Sequence, residues 1–249
     1  MLLDILGLFN AHCFFYIPSR FEEGYGLNKE ALRTVRERGA DLVVTVDCGS
    51  VSYEEVEYGK ELGLEMIVTD HHNVGDGGGE GPRAADCLLV NPKQGDCSYP
   101  DSGLSGCGVA FKLAQALQRV EQKDSGGESR ITKKDLNRVL DLVALATIGD
   151  IVPLVGENRT LVKYGMRAVN SSRRPGLRRL IQGAGLTPGE IKSENVAYVI
   201  VPHLNAAGRL LSAETAVTLL HSREEAEIER AARVLLENNK ELSLLHISK

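Results

Sequence analysis

Leu42-Val43-Val44-Thr45-Val46-Asp47-Cys48-Gly49 and Met66-Ile67-Val68-Thr69-Asp70-His71-His72 are built on one plan. Each opens on a β-rich apolar run and closes on a carboxylate. An unbroken run such as Leu42 to Val46 is the pattern of a strand covered on both faces, as in a parallel sheet. Between the two stretches, Ser52 and Glu55 stand at capping-box spacing ahead of a helix that ends near Gly63. Strand, helix and strand in so short a span make a βαβ unit, which is parallel and right-handed. Cys87 to Val90 adds another buried strand. Upstream, Asn28 is placed to cap a helix reaching Arg38, apolar at Ala31, Leu32 and Val35. His12 to Ile17, stopped by Pro18, reads as a further short strand. The fold class is therefore α/β, a doubly wound parallel sheet.

The remainder reads as helical. The spacing predicts helices over 103–120, 136–148, 160–182 and 213–221, and one long charged helix from Glu224 onward. Gln122 to Ser129 is a polar linker. Asn73 to Asp86 is too glycine-rich for a core and reads as a surface loop. Its Gly75-Asp76-Gly77-Gly78-Gly79 run is followed by neither Lys-Ser/Thr nor an apolar helix, so it matches no nucleotide fingerprint. The organisation expected is a domain over 1–223 with a linker helix starting at 224.

Composition narrows the class. At 249 residues, 43% apolar and 25% charged, the chain has the balance of an ordinary globular protein. The net charge of −5 argues against a clamp that binds nucleic acid by charge alone. It does not count against a nuclease, whose metal site requires clustered carboxylates. Arg167, Arg173, Arg174, Arg178 and Arg179 form one basic cluster, readable as a solvated helix face or as a phosphate track. Five cysteines without a Cys-x-x-Cys pair support neither a disulfide framework nor a zinc ribbon, and a reducing cytoplasm suits them. The apolar start from Met1 to Pro18 has no basic leader and no small-residue cleavage site, so it is not read as a signal peptide. Ile5 to Ser19 is too short to span a bilayer.

The chemistry lies where the strands end. In open parallel sheets, ligands bind beyond the carboxyl ends of the strands. Neighbouring strands lie about 5 Å apart, so Asp47 and the Asp70-His71-His72 run can face one cation. Carboxylate with imidazole suits Mn²⁺ or Mg²⁺ better than a thiolate metal. A strand-end Asp also caps helices, and for Asp47 alone both readings stand. Asp, His and His together after a buried strand point to a site.

The Val68-Thr69-Asp70-His71-His72 run resembles the signature of the DHH phosphoesterase superfamily. Further stretches are similar to its RecJ branch, in order along the chain. They are Tyr16 to Arg20 with Glu23 to Leu27, Val90 to Lys93, Gly106 to Ala114, Asp141 to Leu154 and Pro202 to Arg209. The resemblance implies a Mn²⁺- or Mg²⁺-dependent exonuclease acting 5′ to 3′ on single-stranded DNA in repair and recombination. Its alternatives are a phosphoesterase for oligoribonucleotides, cyclic dinucleotides or pyrophosphate, and an inactive nucleic-acid-binding module. By resemblance, Asp47, His71 and Asp150 are metal ligands and His72 meets the scissile phosphate. Asp70 accepts from an imidazole and fixes its tautomer. Asn205, Arg209 and His203 are substrate-binding residues near bound nucleotide, with His203 standing where many relatives have Arg. The family also carries an Asp-x-Asp motif on a first strand, which does not occur upstream of Asp47. The resemblance aligns Asp4 with the helix after that strand, and implies an incomplete ligand set, a bare sheet edge prone to aggregation and an early stop in the long C-terminal helix. A strand rebuilt from Leu2 to Phe9 is the alternative.

Overall fold

The computed structural model describes residues 1–19, 23, 24, 26–74, 85–210 and 213–247, with backbone only at 207–210 and 240–247. It separates into two compact units. The first comprises Met1–Thr132 and Val152–Arg159, and the second Lys133–Ile151 and Thr160–Lys249.

In the first unit, helix α1 (Leu2–Leu6) runs into a 3₁₀ turn over Gly7–Phe9. Leu2 to Phe9 are therefore helical, and a rebuilt strand there is ruled out. His12 to Ile17 is not a strand either. No described strand lies beside it, and a run without a ladder partner leaves its amides to water. Its side chains pack locally instead: the Arg38 guanidinium carbon sits 4.3 Å from the Phe14 ring centroid, and Tyr16 donates to Glu23 Oε1 at 2.8 Å.

Helix α2 (Lys29–Glu37) starts where Asn28 Oδ1 accepts the Ala31 amide at 2.7 Å, and it buries Ala31, Leu32 and Val35. Strand β1 (Leu42–Val46), helix α3 (Tyr53–Glu61) and strand β2 (Glu65–Thr69) form the expected βαβ unit, and β3 (Leu88–Val90) adds a third parallel strand. The register pairs Val44 with Ile67 and Ile67 with Leu88. One sheet face packs Met66 and Val68 against Leu32, Val35 and Val56. Fully burying a side chain such as Val56 or Val68, both 0% exposed, contributes about 1.5–3 kcal/mol. The other face is only partly covered. Leu42 is 49% and Leu88 70% exposed, so β1 is not enclosed on both sides as its composition suggested. Among the described residues β1 and β3 are edge strands, and apolar composition does not reveal edge position. Ser52 precedes α3 but makes no side-chain cap bond. Its amide closes a turn onto the Gly49 carbonyl, and its ψ of 55° lies outside the extended region that a capping residue occupies.

Helix α4 (Gly106–Asp124) begins at Ser105, whose Oγ accepts the Gly108 amide at 3.1 Å. It therefore starts after Gly103 and runs into the stretch read as linker. The returning segment Val152–Arg159 is tied into the same unit. Asn158, 1% exposed, donates to the Gly103 carbonyl at 2.6 Å, and the Glu157 amide donates to Asp101 Oδ2 at 2.8 Å. Tyr99 and Lys112 both donate to the Glu157 carboxylate.

The second unit is helical. Its elements are α5 (Lys133–Gly149), α6 (Gly156–Asn170, which begins in the first unit), α7 (Pro175–Gly183), α8 (Ser193–Asn195), a π turn over Val196–Ile200, α9 (Val201–Leu210), α10 (Glu214–His221) and α11 (Glu225–Ile247). The helix expected over 160–182 is two helices, broken ahead of Pro175, which has the fixed φ favoured at a helix start. The π turn has a local cause. Pro202 has no amide to give Tyr198, and a proline ring crowds the carbonyl four residues back. The Val201 amide reaches Val196 instead, widening the turn. The core joins Leu177, Leu180, Ile200, Leu219 and Leu235, each 0% exposed. Gly176 permits the closest approach, since a Cβ there would lie 1.7 Å from the Leu219 carbonyl oxygen. Among the described residues no helix is long and apolar enough to cross a membrane.

Candidate metal centre

The carboxyl ends of β1 and β2 bring Asp47, His71 and His72 together. Each offers a ligand atom within 4.8 Å of the others. The parallel register does this. Val46 pairs with Thr69, the Asp47 amide donates to the Thr69 carbonyl at 2.9 Å, and the Asp70 amide donates to the Val90 carbonyl at 3.1 Å. Asp47 leaves the strand with φ +68, a left-handed conformation that Asp tolerates better than most side chains.

His71 is buried, and its Nε2 lies 3.0 Å from Asp47 Oδ1. An imidazole nitrogen and a carboxylate oxygen so close require a proton or a cation between them. With His72 at the rim, 63% exposed, this donor set suits a divalent cation of the hard-to-borderline class. The His71 and His72 ring centroids are 4.5 Å apart.

Asp70 sits beneath them, 2% exposed. Its Oδ1 accepts the His71 amide at 2.7 Å and the His72 amide at 3.2 Å, and lies 2.7 Å from His72 Nδ1. Its Oδ2 accepts the Ser50 amide at 3.0 Å. Burial pushes the Asp70 carboxyl up, but the Ser50 amide and the His72 ring and amide outweigh it and hold the group below its ordinary value. At Cys48 the balance is reversed, because a backbone hydrogen bond from Val46 is outweighed. Burial first, then the Asp70 and Asp47 charges, push its thiol up to about 11.

Sequence reasoning gave no role to Ser50 or Asn91, both buried. Asn91 Nδ2 donates to Ser50 Oγ at 2.7 Å and to the His72 carbonyl at 2.8 Å, and its Oδ1 accepts the Lys93 amide at 2.9 Å. The available signal was position. Asn91 directly follows β3, at the same sheet end as Asp47 and Asp70.

The remaining candidates lie in the second unit. Asp150 follows α5 and is exposed. His203, on α9, is 9% exposed. Its Nδ1 lies 2.7 Å from the Val199 carbonyl and its Nε2 3.2 Å from Asn239 Nδ2, so both ring nitrogens are engaged within the protein. Asn205 is exposed on α9, and the Arg209 side chain lies outside the described residues. Of the basic cluster, Arg174 pairs with buried Asp141 at 3.3 Å and Arg179 grips both oxygens of Glu229. Arg173 and Arg178 are exposed.

The chain is similar to single-stranded-DNA-specific exonuclease RecJ of Bacillus subtilis, 41% identical over 97% of this chain, and to that of Escherichia coli, 40% identical over 83%. It spans only 28% and 35% of their respective lengths. A crystal structure of RecJ bound to manganese superposes with a TM-score of 0.83 at 34% identity, covering 99% of this chain and 58% of that one. RecJ from Thermus thermophilus in complex with Mn²⁺ superposes with a TM-score of 0.79 at 32% identity, covering 99% of this chain and 33% of that one. The DHH family N-terminal domain matches residues 1–147. That match takes in β1, β2 and the Asp70-His71-His72 run between its limits and more than half of the 249 residues, and the chain therefore belongs to the DHH family.

Proposed function

We propose that this chain is the metal-binding part of a Mn²⁺- or Mg²⁺-dependent exonuclease that hydrolyses phosphodiesters of single-stranded DNA from 5′ to 3′, in DNA repair and recombination in the cytoplasm. The observation that carries the reading is the convergence of Asp47, His71 and His72 beyond β1 and β2, in a chain similar to RecJ over nearly its full extent.

Asp47 and His71 would hold the metal in this reading, with Asp150 as a further carboxylate, and the bound ion would supply Lewis acidity and lower the pKa of a water so that hydroxide is available as nucleophile. His72, exposed at the rim, meets the scissile phosphate through Nε2, because its Nδ1 is committed to Asp70. Asp70 keeps the His72 ring in one tautomer and one orientation. Asn205 and Arg209 serve the nucleic-acid backbone, where a guanidinium grips phosphate through two parallel bonds. His203, held between Val199 and Asn239, positions α9.

The test is digestion of end-labelled single-stranded oligonucleotides with Mn²⁺, in which His71→Ala is expected to abolish digestion. Digestion insensitive to His71→Ala removes the metal reading.

A further inference from the structure

We infer that Gly106, the first residue of α4, is a positioning residue for Asp47: the missing side chain at 106 is what lets the Asp47 carboxylate reach His71. A Cβ built on Gly106 would lie 2.2 Å from Asp47 Oδ1, 2.6 Å from its Cγ and 2.7 Å from its Cβ. Real Cβ atoms essentially never come within 3.0 Å of a neighbour, so with any other residue at 106 something has to move.

Two of the three candidates for movement are restrained. Helix α4 is held at its start by the Ser105 cap and below it by Val109, Ala110, Phe111 and Ala114, none more than 3% exposed. The Asp47 backbone is held by the hydrogen bond its amide donates to the Thr69 carbonyl at 2.9 Å. The Asp47 side chain is the softest coordinate, since it is 55% exposed and has open solvent to turn into; turning it carries Oδ1 and Cγ away, and the 2.7 Å approach to its Cβ is relieved by a small backbone shift in addition. The oxygen that a Cβ would strike first, Oδ1, is the same oxygen that stands 3.0 Å from His71 Nε2. Relieving the clash therefore breaks the His71 contact. Gly108, one turn position on, differs. Its nearest neighbours to a Cβ are Ser105 Oγ at 3.3 Å and Leu104 at 3.5 Å, so a methyl group there fits with a small adjustment and does not touch the site.

The inference rests on the reading of Asp47 and His71 as metal ligands, and two readouts keep them apart: Mn²⁺ affinity by calorimetry, and the imidazole ¹⁵N signals of His71 in the metal-free protein. For G106A the expected result is a Mn²⁺ affinity lower by about 10–100-fold, the usual loss when a group orienting a ligand is disturbed, together with a displaced His71 signal. G108A should change neither, and adding G106A to D47G should weaken binding no further. Wild-type affinity and an unshifted His71 signal in G106A overturn the inference while leaving the metal reading intact. If wild type binds no Mn²⁺ but G106A shifts His71 as D47G does, the positioning role stands and the metal reading falls. If G106A does not fold, recovery of folding in D47G/G106A supports the clash, and failure to recover overturns it.

Discussion

Asp70 Oδ1 lies 2.7 Å from His72 Nδ1, and the same oxygen accepts the amides of both histidines that follow it. One buried carboxylate thus fixes the backbone that carries the site and the ring at its rim. Asp70→Asn removes the charge and turns an NH₂ group toward donors. Leaving buried donors unsatisfied costs about 1–3 kcal/mol each, so urea unfolding should show a loss of at least that order. The acid limb should change as well. Asp70 is held below its ordinary value of 3.8, so its contribution is complete above that value and is lost as pH falls through the lower folded-state value. Wild type should lose stability below about pH 4, the range where ordinary Asp titrates. The Asn variant should show a shallower fall there.

Asp47 combines a function with an unfavourable backbone. Its φ of +68 costs an L-residue about 1 kcal/mol or more, a strain glycine does not feel. Asp47→Gly should therefore be more stable than Asp47→Ala by about 1 kcal/mol in thermal or urea unfolding. Both variants should lose Mn²⁺ binding to the same extent. Equal stabilities would show that the left-handed turn is not maintained in solution.

Arg174 and Asp141 form a buried pair, with side chains 14% and 3% exposed. Ser172 Oγ also donates to Asp141, and Arg174 Nη1 donates to the Leu220 carbonyl at 2.6 Å. Removing one partner of such a pair strands a buried charge and costs about 3–5 kcal/mol. Arg174→Ala should therefore destabilise strongly, whereas D141L/R174M should recover most of the loss. Chemical denaturation of the three proteins checks both statements.

Cys48 should resist alkylation. With its thiol pushed up to about 11, only on the order of one molecule in a thousand carries the thiolate at pH 8. Cys13 and Cys97 are exposed. Iodoacetamide at pH 8 followed by peptide mapping should modify Cys13 and Cys97 well before Cys48.

What sequence could supply was local. The strands at 42–46 and 66–69 declare themselves by their apolar runs, and Asn28 caps α2 because that bond closes within one turn. His12 to Ile17 has the composition of a strand, but a strand is defined by its neighbour, and none of the described strands lies there. Ser52 has the spacing of a capping box without the dihedral angles. His203 carries an imidazole that looks chemical in isolation; its partner Asn239 lies on another helix, so its engagement depends on packing. Gly106 is the extreme case, because an absent side chain acquires meaning only from what stands opposite.

The chain leaves its first unit after Thr132, returns for Val152–Arg159 and leaves again. The returning segment supplies Glu157 and Asn158 to the bonds that secure the approach to α4. A nick between Thr132 and Lys133 therefore does not part the two units along their boundary. The downstream fragment keeps a piece of the upstream fold, so the cut protein should copurify as a noncovalent pair, and the two units are to be reassorted, in the laboratory or by gene fusion, only together.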